Sequence, residues 1–398
     1  MSTTFTPTVA QDTIRTRLWW PGVAVVAVIA FAAEMAVSAR YGYMRDELYF
    51  LAAGHHPAFG YVDQPPLTPL LAAGWSFLTG DTLAGFRVLP ALALVVMVVA
   101  TAAMARLLGA GRTGQVLAAL ATAACSQYLG ALHELTTTTP DFVFWTITLV
   151  LVVRLLRDRE PRWWLAIGLC AGVGSEAKWN IGFLLAGLVL GFALVPEARR
   201  LARSRYLLAG AAIFVVLAAP DVVWQAVNGW PEFDVFHALQ QQAGHNRATY
   251  WMGQILYAGP ILTPVWIAGL WWSLRSPAGK RYRPVAIACA FVILIQFVLG
   301  GKPYYPGAAY TYLFAAGAVV TERWLADRGR RQRVITFGLI VVGGLIGSLV
   351  ALPVLPARAL HTVPLQKINY DLAETIGWPQ QVSLVSRLYH ALPSAERA

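Results

Sequence analysis

The most reactive-looking stretch of the chain is Tyr41-Gly42-Tyr43-Met44-Arg45-Asp46-Glu47-Leu48-Tyr49-Phe50. Two adjacent carboxylates, Asp46 and Glu47, stand beside the Arg45 guanidinium and between tyrosines. Such a cluster can take or hold a proton. It can equally be an interfacial cap, with Arg and Tyr as anchors and the acids opening a short helix. Lys178 and Lys302, two of only four lysines, each lie where a polar connection re-enters an apolar run. A lysine so near hydrocarbon is costly unless paired, which makes both functional candidates. The plainer accounts are a local pair with Glu176 for Lys178, and for Lys302 a side chain reaching back to the interface.

The elements that must position these residues are membrane helices. Of 398 residues, 57% are hydrophobic and 13% charged, and the mean hydropathy is +0.56. A soluble domain carries about 25% charged residues, so the solvent of this chain is mostly lipid. Crossing a bilayer as helix takes about 20 apolar residues, because every backbone amide must be satisfied internally. Such runs recur at 18–38, 83–108, 113–130, 140–156, 163–176, 179–196, 206–224, 253–273, 284–300, 304–322 and 334–352. The expected architecture is an all-α polytopic membrane protein with about eleven transmembrane helices and helices in its outer loops; 66–79 is expected at the interface. Residues 1–352 make the expected transmembrane module, and 353–398 a short polar segment with one amphipathic helix near 382–392.

Orientation follows from the basic residues. Arg15 and Arg17, Arg106 and Arg112, and clusters within 154–162, 199–205, 275–283 and 323–333 place 21 of the 31 on alternate connections. That face is expected in the cytoplasm together with the N-terminus. The net charge of +11 is then a topology signal, and no nucleic-acid partner is expected. All seven histidines fall toward the opposite, extracytoplasmic face, as do the long connections 39–82 and 225–252. Long loops on a rigid scaffold commonly carry function. Val37-Ser38-Ala39 imitates a signal-peptidase site, but the apolar run before it exceeds the ~7–15 residues of a signal core. An uncleaved anchor is expected, in a multi-pass cell membrane protein. Cys125, Cys170 and Cys289 lie in apolar runs and suggest no disulfide framework.

Beyond the first outer stretch come His55-His56-Pro57 and Gly60-Tyr61-Val62-Asp63-Gln64-Pro65-Pro66-Leu67. Further along stand Thr138-Thr139-Pro140-Asp141, Ala177-Lys178-Trp179, Trp224-Gln225, Asn228-Gly229-Trp230-Pro231 and Gly300-Gly301-Lys302-Pro303-Tyr304-Tyr305. Asn369-Tyr370-Asp371 and Glu374-Thr375-Ile376-Gly377-Trp378-Pro379 close the set. In this order, over nearly the entire chain, the motifs resemble the polyprenyl-phosphate-sugar-dependent glycosyltransferases of the GT-C fold. The likeness is to bacterial members of the dolichyl-phosphate-mannose protein mannosyltransferase family, relatives of the aminoarabinose transferases.

The resemblance implies a GT-C bundle and an inverting glycosyl transfer from a polyprenyl-phosphate sugar to an extracytoplasmic hydroxyl on protein, lipid or cell-wall glycan. It maps the general base onto Asp46. One carboxylate is enough, because a lipid phosphate is already a good leaving group and needs no acid; glycoside hydrolases need two. The departing phosphate needs cations in a shielded pocket, for which the candidates are Lys302 and Lys178, then Arg45, Arg247 and Arg87. Glu47, Asp63, Gln64, Asp141, Tyr304 and Tyr305 are candidate sugar contacts or supports. Some relatives carry Lys where this chain has the neutral Gln64, so that phosphate contact is missing here or supplied elsewhere. Some relatives also hold a divalent cation nearby; His55, His56, His133 and Glu134 are candidate ligands alongside Asp63, though their spacing fits no metal motif. No cofactor is expected to be required. The 225–252 loop, with Gln240-Gln241-Gln242, is a candidate lid. The alternatives are a carrier of lipid-linked sugars, which would place polar residues near the bilayer midplane, and an inactive binding homologue. Only about 45 residues follow the last span, where the family commonly carries a longer soluble domain.

Overall fold

The computed structural model describes residues 17–80, 82–363, 365, 368–393, 396 and 397. Arg15 and the side chain of His361, both counted above, lie outside these. Among the described residues the chain is helix and connection, with no strand. It begins with α1 (Trp20–Val37), followed by two short helices, α2 (Arg45–Gly54) and α3 (Leu67–Thr79), then α4 (Leu83–Phe86) running into α5 (Val88–Leu107). The next group is α6 (Arg112–Ala123), α7 (Ser126–Ala131), α8 (Thr138–Asp158), α9 (Trp163–Ser175), α10 (Ile181–Leu194), α11 (Pro196–Ala202) and α12 (Arg205–Val227). After α13 (Pro231–Gln240) come α14 (Ala243–Ala258), α15 (Thr263–Arg275), α16 (Arg283–Leu299), α17 (Ala309–Ala326) and α18 (Arg330–Ala351). Two further helices, α19 (Asp371–Glu374) and α20 (Trp378–Ala391), follow.

The helical, multi-pass character is as expected, while the count of about eleven spans is not confirmed. Six helices among the described residues are long and apolar enough to cross a membrane, or eight if each of two bent pairs is one span. The differences have local causes. Pro196 opens α11 after an extended Val195, so α10 and α11 meet at 119°. Gly259, at φ 100°, and Pro260 break α14 from α15, at 86°. The expected 113–130 run is split at Cys125 into α6 and α7, and α9, at 13 residues, is short for a span. The expected 304–322 helix starts only at Ala309, because Pro303 and Pro306 hold the preceding backbone out of helix. The stretch expected at the interface forms the short apolar α3, which leaves Phe77 89% exposed.

α17 is the axis of the molecule. Every residue from Ala309 to Val319 is buried, and its polar groups are answered: the Tyr310 hydroxyl donates to Gln254 Oε1 at 2.7 Å, and the hydroxyls of Tyr312 and Ser273 meet at 2.8 Å. Small residues permit the closest crossings. A Cβ on Gly168 of α9 would collide with the Gly210 carbonyl of α12. The outer helices instead expose apolar side chains such as Val215, Val216, Leu345 and Ile346, which suits hydrocarbon and not water.

The two ends differ. At one, arginines stack on aromatic rings: Arg112 on Trp19, Arg154 on Trp163, Arg275 on Trp271 and Arg328 on Trp324. There the Glu322 carboxylate caps α6 by accepting from the amides of Gly111 (2.7 Å) and Gly114 (2.9 Å). At the opposite end lie the long loops. The segment after α18 is not a separate body: Tyr41 donates to the Leu355 carbonyl at 2.7 Å, and the Asn369 amide to the Val350 and Ala351 carbonyls at 3.2 Å.

Candidate active site

The site is built around the first turn of α2. The Met44 amide donates to Glu47 Oε2 at 2.8 Å, a capping arrangement that turns Glu47 inward. Inside, Glu47 meets Arg87, whose Nε donates to Oε1 at 3.1 Å and Nη2 to Oε2 at 2.8 Å. Arg87 also donates to the carbonyls of Ser38 (3.0 Å) and Gly42 (2.8 Å) and to His133 Nε2 (3.2 Å). All five guanidinium donors are thereby engaged, and both Arg87 and Glu47 are buried. The expectation that Arg87 binds a phosphate is therefore corrected: no donor is left for one.

His133 accepts from Arg87, so its Nδ1–H is left to donate to Glu34 Oε2 at 2.9 Å. Burial, reinforced by the neighbouring Arg87 charge, pushes its pKa well below the usual histidine range. It is a neutral link and not a free ligand. Glu134 is buried beside it, and burial with the Glu47 charge pushes its pKa well above the usual carboxylate range, against the pull of Arg87. His55 and His56 are exposed on another stretch. No group of three or more His, Cys, Asp or Glu among the described residues is arranged to hold a metal ion.

Asp46 precedes Glu47 by one residue and so leaves the helix in another direction. Its side chain is 36% exposed and accepts from Arg45 Nε at 3.1 Å; Arg45 Nη1 reaches Glu374 Oε1 at 2.8 Å. The segment after α18 thus brings α19 to the site. Burial, then the charges of Glu374 and Asp46, raise the pKa of Asp371, opposed by Lys302 and Arg45. Tyr49 donates to Asp63 Oδ1 at 2.6 Å, which orients Asp63, whereas Gln64 is buried.

The other wall is the loop between α16 and α17. Its backbone is irregular where the chain is otherwise helical, and side-chain amides answer its carbonyls. Gln240 serves Leu299 (3.0 Å), Asn246 serves Gly300 (2.8 Å), Gln254 serves Pro303 (2.8 Å), Gln127 serves Tyr304, and Asn180 serves Tyr305 (3.2 Å). Held there, Lys302 lies over the Tyr304 ring at 5.8 Å and Lys178 over the Tyr305 ring at 5.1 Å. The two rings meet edge to face at 5.0 Å. Among the described residues neither ammonium has a carboxylate within 4.0 Å. Lys178 does not pair with Glu176, whose carboxyl is pushed up to about 7 by burial and Asp221. Burial depresses the Lys178 pKa, Asp141 raises it, Lys302 lowers it further, and Asp46 is close enough to raise it slightly.

The remaining candidates divide. Asp141 is fully buried in α8 and accepts from Asn180 at 3.1 Å, a support beneath Lys178. Arg247 is exposed on α14 and donates to the Val298 carbonyl at 2.8 Å, which ties two helices together. The 225–252 stretch folds as α13 and the start of α14. Glu232 of α13 feels Lys178 and Asp63, and burial raises its carboxyl to about 7. Phe233 meets Trp179 ring to ring at 6.4 Å. The connection after α2 is stitched to the same place: the Leu67 amide donates to Glu176 O at 2.9 Å and Gln225 to Tyr61 O at 2.8 Å. Asp371, Glu374 and Glu232 were not singled out as site residues in the sequence, and neither were the loop-holding amides. The amides did leave a signal: Gln127, Asn180 and Gln254 are polar side chains within or beside apolar runs.

Residues 63–224 match the family model for dolichyl-phosphate-mannose-protein mannosyltransferase. No curated protein matches the sequence. Among solved structures, ArnT from Cupriavidus metallidurans bound to undecaprenyl phosphate is similar, with a TM-score of 0.62 at 19% identity over 85% of this chain and 66% of that one. Archaeal oligosaccharyltransferase AglB from Archaeoglobus fulgidus, in complex with an inhibitory peptide and a dolichol-phosphate, gives 0.57 at 14% identity over 95% of this chain and 59% of AglB. Arabinofuranosyltransferase AftD from Mycobacteria gives 0.54 at 16% identity over 85% of this chain and 27% of AftD. The chain thus spans just under two thirds of the length of ArnT and less of the others. The chain thus shares the fold of ArnT, AglB and AftD, the GT-C fold expected from the motifs, and residues 63–224 match the protein-mannosyltransferase family model.

Proposed function

We propose that the chain is a membrane glycosyltransferase that moves a sugar from a polyprenyl phosphate to an acceptor hydroxyl, with Asp46 as general base. The observation that carries this reading is a solvent-reachable Asp46 together with two lysines, Lys178 and Lys302, that lie on tyrosine rings without a carboxylate partner among the described residues. In the reaction, the acceptor oxygen attacks the anomeric carbon from the side opposite the phosphate, and its proton passes to the Asp46 carboxylate. The bond between anomeric carbon and phosphate oxygen breaks, its electron pair stays on the phosphate, and the anomeric centre inverts. The charge gained by the phosphate is met by Lys178 and Lys302. ArnT and AglB, which hold undecaprenyl phosphate and dolichol-phosphate in their structures, support this donor class. The skew of arginine toward the opposite end supports placing the site outside the cytoplasm, with the N-terminus inside.

The test incubates the purified chain in detergent with a panel of polyprenyl-phosphate sugars and acceptors and follows release of free lipid phosphate. Asp46→Asn is expected to lower transfer by ~10²–10⁴-fold, the usual worth of a positioned base, while donor binding persists. Transfer left intact in that variant would refute the role of Asp46, and sugar transport unaffected by it would point to a carrier.

A further inference from the structure

At the arginine-rich end, remote from Asp46, lies a second feature that the reaction does not use. α9, α10, α11 and α12 line an open-sided cavity of about 390 Å³ whose wall is almost wholly apolar, with Trp164, Leu188, Phe192 and Phe214 among its lining. The cavity exists because the chain turns sharply at Pro196, so that α11 runs across the end of α10 instead of extending it. Two contacts hold α11 there. Trp164 Nε1 donates to the Leu201 carbonyl at 2.9 Å, and Glu197 pairs with Lys280 at 3.0 Å.

The mouth has the opposite character. Arg199 and Arg203, one helical turn apart, both line the cavity. Arg199 uses Nε on the Ala193 carbonyl at 2.6 Å, which leaves its terminal nitrogens available, and Arg203 is exposed. Glu197, the one acid of α11, is already neutralised by Lys280. Arg200 and Arg205 add to the positive field. An apolar slot closed by guanidinium groups matches an amphiphile with an apolar chain and an anionic head. The volume sits at the lower end of the ~300–1,000 Å³ of ordinary ligand pockets, so it suits one acyl chain and not a whole lipid.

We propose that this cavity is a binding site for an anionic phospholipid of the adjoining leaflet, with one acyl chain in the slot and the phosphodiester on Arg199 and Arg203. Guanidinium suits this head because it presents paired donors to phosphate oxygens. A polyprenyl tail would fill the slot equally but would leave the arginines without an anion, since its phosphate belongs at the other end of the molecule.

Native mass spectrometry of the full chain tests this, after equilibration with equal phosphatidylglycerol and phosphatidylethanolamine in mixed micelles. The wild type is expected to retain the anionic lipid in about tenfold preference, a ratio in line with charge-assisted hydrogen bonds. Arg199→Gln with Arg203→Gln should reduce that preference to near unity while lipid is still retained. Ala211→Trp, at an exposed position that lines the cavity, should abolish retention of both lipids. Equal retention by the wild type overturns the proposal, as does a preference that survives the double substitution. A co-purifying mass of polyprenyl phosphate that Ala211→Trp removes would overturn it too, and assign the slot to the tail.

Discussion

Arg87 grips Glu47 with two parallel hydrogen bonds, 3.1 and 2.8 Å long, in a place where both side chains are sealed from solvent. The two residues come from different elements at the long-loop end, one closing α4 and the other opening α2, and their union fixes where α2 begins. Asp46 inherits its position from that union. On the proposed reading of Asp46 as the base, Glu47 and Arg87 are positioning residues that act through it.

Removing one partner of such a buried pair leaves the other charge uncompensated. Arg87→Ala is expected to cost about 3–5 kcal/mol, read as reduced resistance to thermal unfolding in detergent. Arg87→Lys should recover little of this, since an ammonium cannot reproduce five donors in a planar fork. Full stability in either variant would disprove the arrangement.

Lys178 should give donor binding a characteristic pH dependence. Burial depresses its pKa, and a lysine is cationic only below its pKa. Affinity for the lipid phosphate should be complete at low pH and decline as pH rises through a midpoint below the ordinary lysine range. Lys178→Arg should move that decline upward, beyond the range of the assay. A profile unchanged by the substitution would remove Lys178 from the phosphate site.

Glu134 predicts a pH dependence of stability. Its pKa is raised in the folded state, so its contribution is complete below the unfolded value of about 4.3 and is lost as pH rises through the folded value. Glu134→Gln removes the ionisation. It should leave the melting temperature unchanged near pH 4 and raise it near pH 8. A loss at pH 8 would mean that the carboxylate form is wanted there.

Gly300 anchors the lysine loop. It sits at φ 68°, where a side chain costs about 1–2 kcal/mol, and a Cβ would lie 2.8 Å from Ala243 Cα. Gly300→Ala should displace Lys302 and raise the KM for donor roughly tenfold, which is about 1.4 kcal/mol, with a smaller change in kcat. An unaltered KM would show that the loop tolerates the shift.

Much of this was legible in the residues. Asp46, Lys178 and Lys302 stand out because charge is rare in so apolar a chain, and the ordered motifs drew them together despite their separation. The membrane character followed from composition alone. The span count did not: hydropathy does not register a bend, and Gly259-Pro260 sits inside 253–273, a run that reads as continuous. Arg87 was misread for a different reason. An arginine at a membrane boundary looks the same whether it faces a ligand or an interior acid, and only the folded position of Glu47, 40 residues away, decides. Asp371 and Glu374 were noticed as parts of a motif but not as neighbours of Asp46, a relation set by tertiary folding.

Glu374 reaches Arg45 across 329 residues of chain. Translation therefore delivers the two halves of the site at very different moments. The bundle can insert, and the lysine loop can settle, well before the acidic turn emerges from the ribosome. Until that turn docks, Arg45 lacks its Glu374 partner and the candidate site lacks the Asp371 carboxylate, so its final charge balance arrives as a late step of biogenesis.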